Sequence, residues 1–182
     1  MAVTELDPKT ALIIVDLQKG IVGLPCAHPM PAIVEQSAKL AQAFRAKGRP
    51  VVLVNVTGVA PGRNEQPPHG GAWPDDFAEL IPELDVQPSD LKITKRTWGA
   101  FVHTDLDAQL KALGVTQVVL AGVATSIGVE STARQAYEYG YNVTLATDAM
   151  TDRSAEAHDN SVQRIFPRLG ETGASTDIIA LL

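Results

Sequence analysis

The chain has a single cysteine, Cys26, so no internal disulfide can form and a cytoplasmic setting is expected. Positive charge is scarce. Fifteen Lys and Arg side chains stand against 21 Asp and Glu, a formal net charge of −6, which argues against nucleic acid or an anionic membrane as the main partner. No apolar run reaches the ~18 residues of a membrane span, so no membrane partner is expected. The N-terminus, Met1 to Pro8, lacks a basic region followed by an apolar stretch, and no secretory signal is expected. Metal-ligand spacing is missing as well, because His28, His69, His103 and His158 form no His-x-x-x-His pattern. The glycines between residues 57 and 75 are not followed by Gly-Lys-Ser/Thr, which excludes a phosphate cradle there. These absences leave a small molecule as the expected partner, with no metal and no cofactor implied.

What is present fits a globular protein: 45% hydrophobic and 20% charged residues in 182, a length that favours one domain over 1–182 with a sizeable core. Ala11 to Val15 is a continuous apolar run, as expected for a parallel strand buried on both faces. Helical spacing of Ile33, Leu40 and Phe44 predicts a helix over Pro31 to Lys47, stopped by Gly48. Val51 to Val56 is a second buried strand, and residues 57 to 75, rich in proline and glycine, form an ordered loop. Lys92 to Lys95 is a short strand, and Thr104 to Asp107 has the form of a capping box opening a helix that ends at Gly114. Val115 to Val123 and Asn142 to Thr147 are strands, Val129 to Tyr139 and Ser154 to Arg168 helices, and Thr176 to Leu182 a short terminal helix. This alternation predicts a doubly wound parallel α/β sheet.

Ligands in such sheets bind beyond the carboxyl ends of the strands. Three places qualify. Asp16 directly follows the first strand, and a carboxylate there needs a partner if it is buried; capping a nearby loop explains it equally well. Lys95 opens Lys95-Arg96-Thr97-Trp98-Gly99-Ala100-Phe101 after the third strand; it can pair with Asp16 across the sheet top, although a solvated lysine is the simpler explanation in isolation. The turn Gly122-Val123-Ala124-Thr125-Ser126-Ile127-Gly128 joins a strand to a helix with small residues, which lets a substrate approach backbone N–H groups.

Taken in order, Ile14-Val15-Asp16-Leu17-Gln18, the Lys95 segment and the 122–128 turn resemble the three motifs of the isochorismatase-like (cysteine hydrolase) superfamily, over about residues 8 to 180. The resemblance implies a three-layer sheet of about six mostly parallel strands flanked by helices. It also implies a homodimer or homotetramer and a cis peptide at Val123–Ala124. It places Asp16, Lys95 and Gly128 at the catalytic centre and Gln18, Trp98, Phe101, Ala124 and Thr125 at substrate. Trp73 and Phe77 are candidate apolar walls, for which ordinary core packing is an equal explanation.

In most of that family a nucleophilic cysteine stands where this chain has Gly128. The family's isochorismatases commonly lack it too. Their vinyl-ether hydrolysis needs an acid and a water but no nucleophilic side chain, and Asp16 would be the acid. Such an acid must hold its proton near neutral pH, so burial must raise its pKa while Lys95 lowers it, and the sequence does not say which wins. Cys26 lies outside the nucleophile position, in a Pro-rich loop, and reads as a bystander. Ser126 is not in a Gly-x-Ser-x-Gly pattern and reads as a cap or loop residue. The Asp-x-His-x-x-His zinc motif of nicotinamidases is absent after the second strand, and the substrate-holding Gln of characterised isochorismatases has no clear counterpart, Gln66 being the nearest. The expected activity is hydrolysis of isochorismate or a related small enol ether. The alternatives are an amidase-type member using water or Ser126, and a non-catalytic small-molecule-binding protein.

Overall fold

The computed structural model describes residues 3–65 and 72–182. Six strands form one sheet: β1 (Thr10–Val15), β2 (Val51–Val56), β3 (Leu91–Lys95), β4 (Gln117–Val123), β5 (Asn142–Thr151) and β6 (Glu171–Gly173). Their order is β3-β2-β1-β4-β5-β6, and every neighbouring pair is parallel. The helices are α1 (Lys19–Val22), α2 (Met30–Ala46), α3 (Leu106–Ala112), α4 (Glu130–Glu138), α5 (Ala155–Asn160) and α6 (Ser175–Ala180). Among the described residues no helix is long and apolar enough to cross a membrane.

The strands are apolar on both faces because both faces are covered. Alternate side chains point to opposite sides. Ala11, Ile13 and Val15 join Val118, Leu120, Leu106, Leu110 and Ala133 in one core layer. Leu12 and Ile14 join Leu53, Val119, Leu40 and Phe44 in the other. The strand order reverses between β1 and β4, and in such sheets the carboxyl ends flanking the reversal diverge to open a crevice. Asp16 follows β1 and the 124–128 turn follows β4, so two of the three motifs meet at that crevice.

Gly122 makes the meeting possible. It pairs with Val15, has φ of 109°, and a Cβ there would lie 2.1 Å from the Val15 carbonyl oxygen. Side chains rarely adopt that backbone, and the obstruction is backbone rather than a movable side chain.

Several local expectations need correction. The helix expected over 154–168 is α5 followed by a widened π turn at Ser161–Ile165 and a 3-10 turn at Phe166–Arg168; Pro167 has no N–H to continue an α-helix. The capping box at Thr104 does not form. Thr104 Oγ1 donates to the Ala100 carbonyl, while the Asp107 carboxylate accepts from Lys111 and Tyr141. The helix expected from Val129 begins earlier, as a π turn over Thr125–Val129 that continues into α4. The strand expected to end at Thr147 continues to Thr151, pairing again with Gly122 and Val123 after a register shift. Only parts of the 57–75 loop are described; Gln66 and His69 lie outside the described residues.

Gly122→Ala is expected to lower unfolding stability by about 2–4 kcal/mol through combined overpacking and strain. Urea denaturation of the two proteins measures it, and Gly23→Ala, where an added Cβ meets nothing within 4 Å, serves as the control.

Candidate active site

Asp16 leaves β1 with φ of 54°, an uncommon conformation for a residue other than glycine. Its amide still donates to Val54, so the turn is anchored to β2 as the chain leaves the sheet. Lys95, the last residue of β3, reaches past the end of β2. Its Nζ lies 2.7 Å from Asp16 Oδ2 and donates a second bond, 3.1 Å, to the Thr97 carbonyl. Both side chains are almost wholly buried. Among the described residues, Asp16 Oδ1 has no hydrogen-bond partner.

The conflict between burial and the lysine resolves in favour of burial. Desolvation pushes the Asp16 carboxyl up to about 6, against the charge and hydrogen bond of Lys95. A carboxyl of that kind carries a proton in a substantial fraction of molecules just below neutral pH, and Lys95 stabilises the anion left when the proton departs.

The third motif closes on this pair. The Val123–Ala124 peptide is cis. Ala124 O accepts from Ile127 and Val129, and Asp152 Oδ2 accepts from the amide and hydroxyl of Ser126. Thr125 Oγ1 meets His158 Nδ1 at 2.9 Å. Thr132 of α4 donates to Gly128 O and accepts from the Ala100 amide, tying the turn to the lysine loop. A Cβ on Gly128 would stand 3.4 Å from Asp16 Oδ2, so a side chain there would adjoin the carboxylate directly. The same Cβ would come within 3.0 Å of Val15 Cγ1 and 3.2 Å of the Val123 carbonyl oxygen, which leaves the position tight.

A cavity of about 340 Å³ opens over these groups. Asp16, Lys95, Ala124 and Gly128 line it, as do Trp73, stacked on Phe77 at 4.2 Å, and Trp98. Three of the expected site residues are elsewhere. The Gln18 amide is committed to backbone, donating to Val56 O and Phe77 O and accepting from Val56 N, so it braces the cavity wall and does not line the cavity. Phe101 is buried in the core against Tyr139 and Tyr141. The Thr125 side chain faces His158.

Arg153, which sequence reasoning did not single out, and Cys26, which it read as a bystander, are among the other residues lining the cavity. Arg153 follows β5, and no ion pair engages it among the described residues; an isolated arginine in a loop carries no local signal. Cys26 is the other. Burial and the Asp152 carboxylate push its thiol up, with Arg153 opposing, so it stays protonated near neutral pH. Ser126 does not line the cavity. Among the described residues no three His, Cys, Asp or Glu side chains converge as a metal site.

A doubly wound parallel sheet with a buried Asp–Lys pair and a strand-to-helix turn meeting at its point of strand reversal has the isochorismatase-like α/β architecture. The isochorismatase domain model matches residues 10–177, and the chain belongs to the isochorismatase family of hydrolases. It is 42% identical to the isochorismatase family protein YwoC of Bacillus subtilis (strain 168), covering 94% of this chain and 93% of that one. A solved isochorismatase family protein from Burkholderia thailandensis superposes with a TM-score of 0.94 at 41% identity, covering 98% of this chain and 97% of that one. The maleamate amidohydrolase of Pseudomonas putida (strain KT2440) is 28% identical over 96% of this chain and 87% of its own length.

Lys95→Met leaves a buried carboxyl without its cation and is expected to cost about 3 kcal/mol or more at pH 8. The sign follows from linkage. The Asp16 pKa in the folded state already lies above the ordinary carboxyl value of 3.8 and rises further without Lys95, so folding stability falls as pH climbs from the unfolded to the folded value. The deficit against wild type is therefore larger at pH 8 than at pH 5. Chemical denaturation at the two pH values checks it.

Proposed function

We propose that the protein hydrolyses a small enol ether of the isochorismate type, with Asp16 as general acid and Lys95 as its electrostatic partner. One observation carries this reading. The cavity holds a buried carboxyl raised to about 6, with one oxygen lacking a hydrogen-bond partner among the described residues, beside a glycine where a nucleophilic side chain would otherwise stand.

The chemistry follows from those groups. The Asp16 carboxyl gives its proton to the methylene carbon of the enol ether, and the π electrons form the new C–H bond. The adjacent carbon becomes an oxocarbenium ion and the carboxylate left behind pairs with Lys95. Water adds to that cation and returns a proton to Asp16. The hemiketal then collapses, breaking the C–O bond to release the alcohol and, from an enolpyruvyl ether, pyruvate. Backbone N–H groups of the turn around Thr125 and Gly128 stabilise negative charge on the substrate. The protonated fraction of Asp16 sets the rate.

The amidohydrolase relative supports a second reading, amide hydrolysis with water as nucleophile. Ser126 is a weak substitute for a cysteine there, since its hydroxyl donates to Asp152 outside the cavity. The homodimer or homotetramer and the cytoplasmic setting implied earlier belong to the same proposal; sedimentation velocity tests the assembly.

Asp16→Asn is expected to lower pyruvate release from an enolpyruvyl ether by ~10²–10⁴. In the wild type, kcat/KM should fall tenfold per pH unit above about 6, because the reactive form is the acid. Near wild-type turnover in Asp16→Asn rules out Asp16 as the acid. Gly128→Cys should not raise enol-ether hydrolysis, and a gain in hydrolysis of small amides would show that the Asp16–Lys95 pair can activate a thiol. Cys26→Ser should leave turnover within a few-fold of wild type, measured in the same pyruvate assay.

A further inference from the structure

The cavity is unequal in its lining. Trp73 and Phe77 form a stacked wall, with Ile127 also in the lining. Leu24, Val59 and Trp98 line the cavity too, yet are 47%, 68% and 62% exposed, which makes them uncovered apolar surface at its mouth. The cationic lining amounts to Lys95 and Arg153 among the described residues. Lys95 is already spent on Asp16 and the Thr97 carbonyl. Among the described residues, Arg153 has no such engagement. The side-chain amide of Gln18, behind the cavity wall, is committed to backbone.

We propose that this site selects a monoanion with an apolar body, its one carboxylate on Arg153 and its hydrocarbon part against Trp98 and the Trp73–Phe77 wall, and that it discriminates against dianionic, hydroxylated substrates such as isochorismate. The proposal rests on the enol-ether reading for its chemistry, and it narrows the substrate class within it. The physical reason is asymmetric. A hydrocarbon body exchanges water for apolar walls and gains by it. A second carboxylate against the same walls loses its hydration and finds no further unengaged side-chain cation among the described lining residues, and a ring hydroxyl laid on those walls exchanges water for apolar contact. An apolar pocket rejects an added hydroxyl by roughly the same 10–200-fold as a changed methylene, so the discrimination expected here is modest.

The test compares pyruvate release from 2-(cyclohexyloxy)acrylate, one carboxylate and an apolar ring, with release from isochorismate. The expected kcat/KM ratio is about tenfold or more in favour of the monoanion. Arg153→Gln should raise KM for the monoanion about tenfold with kcat nearly unchanged, Arg153→Lys should recover part of the loss, and Trp98→Ala should raise KM for the cyclohexyl ether. A ratio at or below one, or an unchanged KM in Arg153→Gln, overturns the proposal.

Calorimetric titration separates failure of the substrate class from failure of the chemistry. The probes are 2-(cyclohexyloxy)propanoate, which cannot be hydrolysed by this route, and 2-(cyclohexyloxy)succinate, its dianionic counterpart. If neither ether is hydrolysed, the enol-ether reading fails. Preferential binding of the propanoate, weakened about tenfold in Arg153→Gln, still upholds the monoanion class. Equal or tighter binding of the succinate, or no binding of the propanoate, overturns it.

Discussion

Two opposite charges taken out of water together, Asp16 and Lys95, set the terms for everything around them. Desolvation of such a pair is costly and is offset only when geometry and additional hydrogen bonds are good. Here the offset is incomplete in a specific way. Lys95 Nζ bonds both Asp16 Oδ2 and the Thr97 carbonyl, while Asp16 Oδ1 has no partner among the described residues. A fully satisfied carboxylate would be held below the usual range. This one is raised, because burial outweighs a single lysine. In the proposed mechanism this imbalance is what lets the carboxyl donate a proton.

The sheet arrangement is what makes that imbalance sustainable. Strand reversal between β1 and β4 creates the crevice, and Gly122 lets the two backbones come together beneath it. Gly128 lets the turn close over Asp16, and Thr132 and Asp152 hold that turn against the lysine loop and β5. Gln18 performs the same service on the other side. It bonds Val56 and Phe77 where the β1–β2 ladder has ended, and thereby carries the ladder's constraint up to the cavity wall. The protein thus surrounds one buried carboxyl with backbone-anchored supports and leaves the rest of the cavity largely apolar.

Legibility in the sequence tracks how local the physical cause is. Strands β1, β2 and β4 stand out because burial on both faces forces an uninterrupted apolar run. Helix α2 is legible from its spacing and its Gly48 stop. Less was visible where a neighbour decides the outcome. The three-residue β6 has no strand composition and exists because β5 offers an edge. The extension of β5 to Thr151 depends on a register shift against β4. Thr104 and Asp107 have capping-box chemistry, but Ala100, Lys111 and Tyr141 compete for them and win.

The candidate site divides along the same line. Three motifs placed after strand ends, with glycine at position 128, could be read from residue order alone, because chain connectivity in a parallel sheet sends every strand's carboxyl end to the same side. Residue order says nothing about where a side chain points once the chain packs. Gln18 and Phe101 sit inside motifs yet face backbone and core, whereas Cys26 and Arg153 sit outside them and line the cavity. The direction of the Asp16 pKa was likewise open in the sequence, since its two causes oppose each other. Desolvation depends on how completely distant segments exclude water from one group, and that quantity belongs to the packed structure rather than to any stretch of chain.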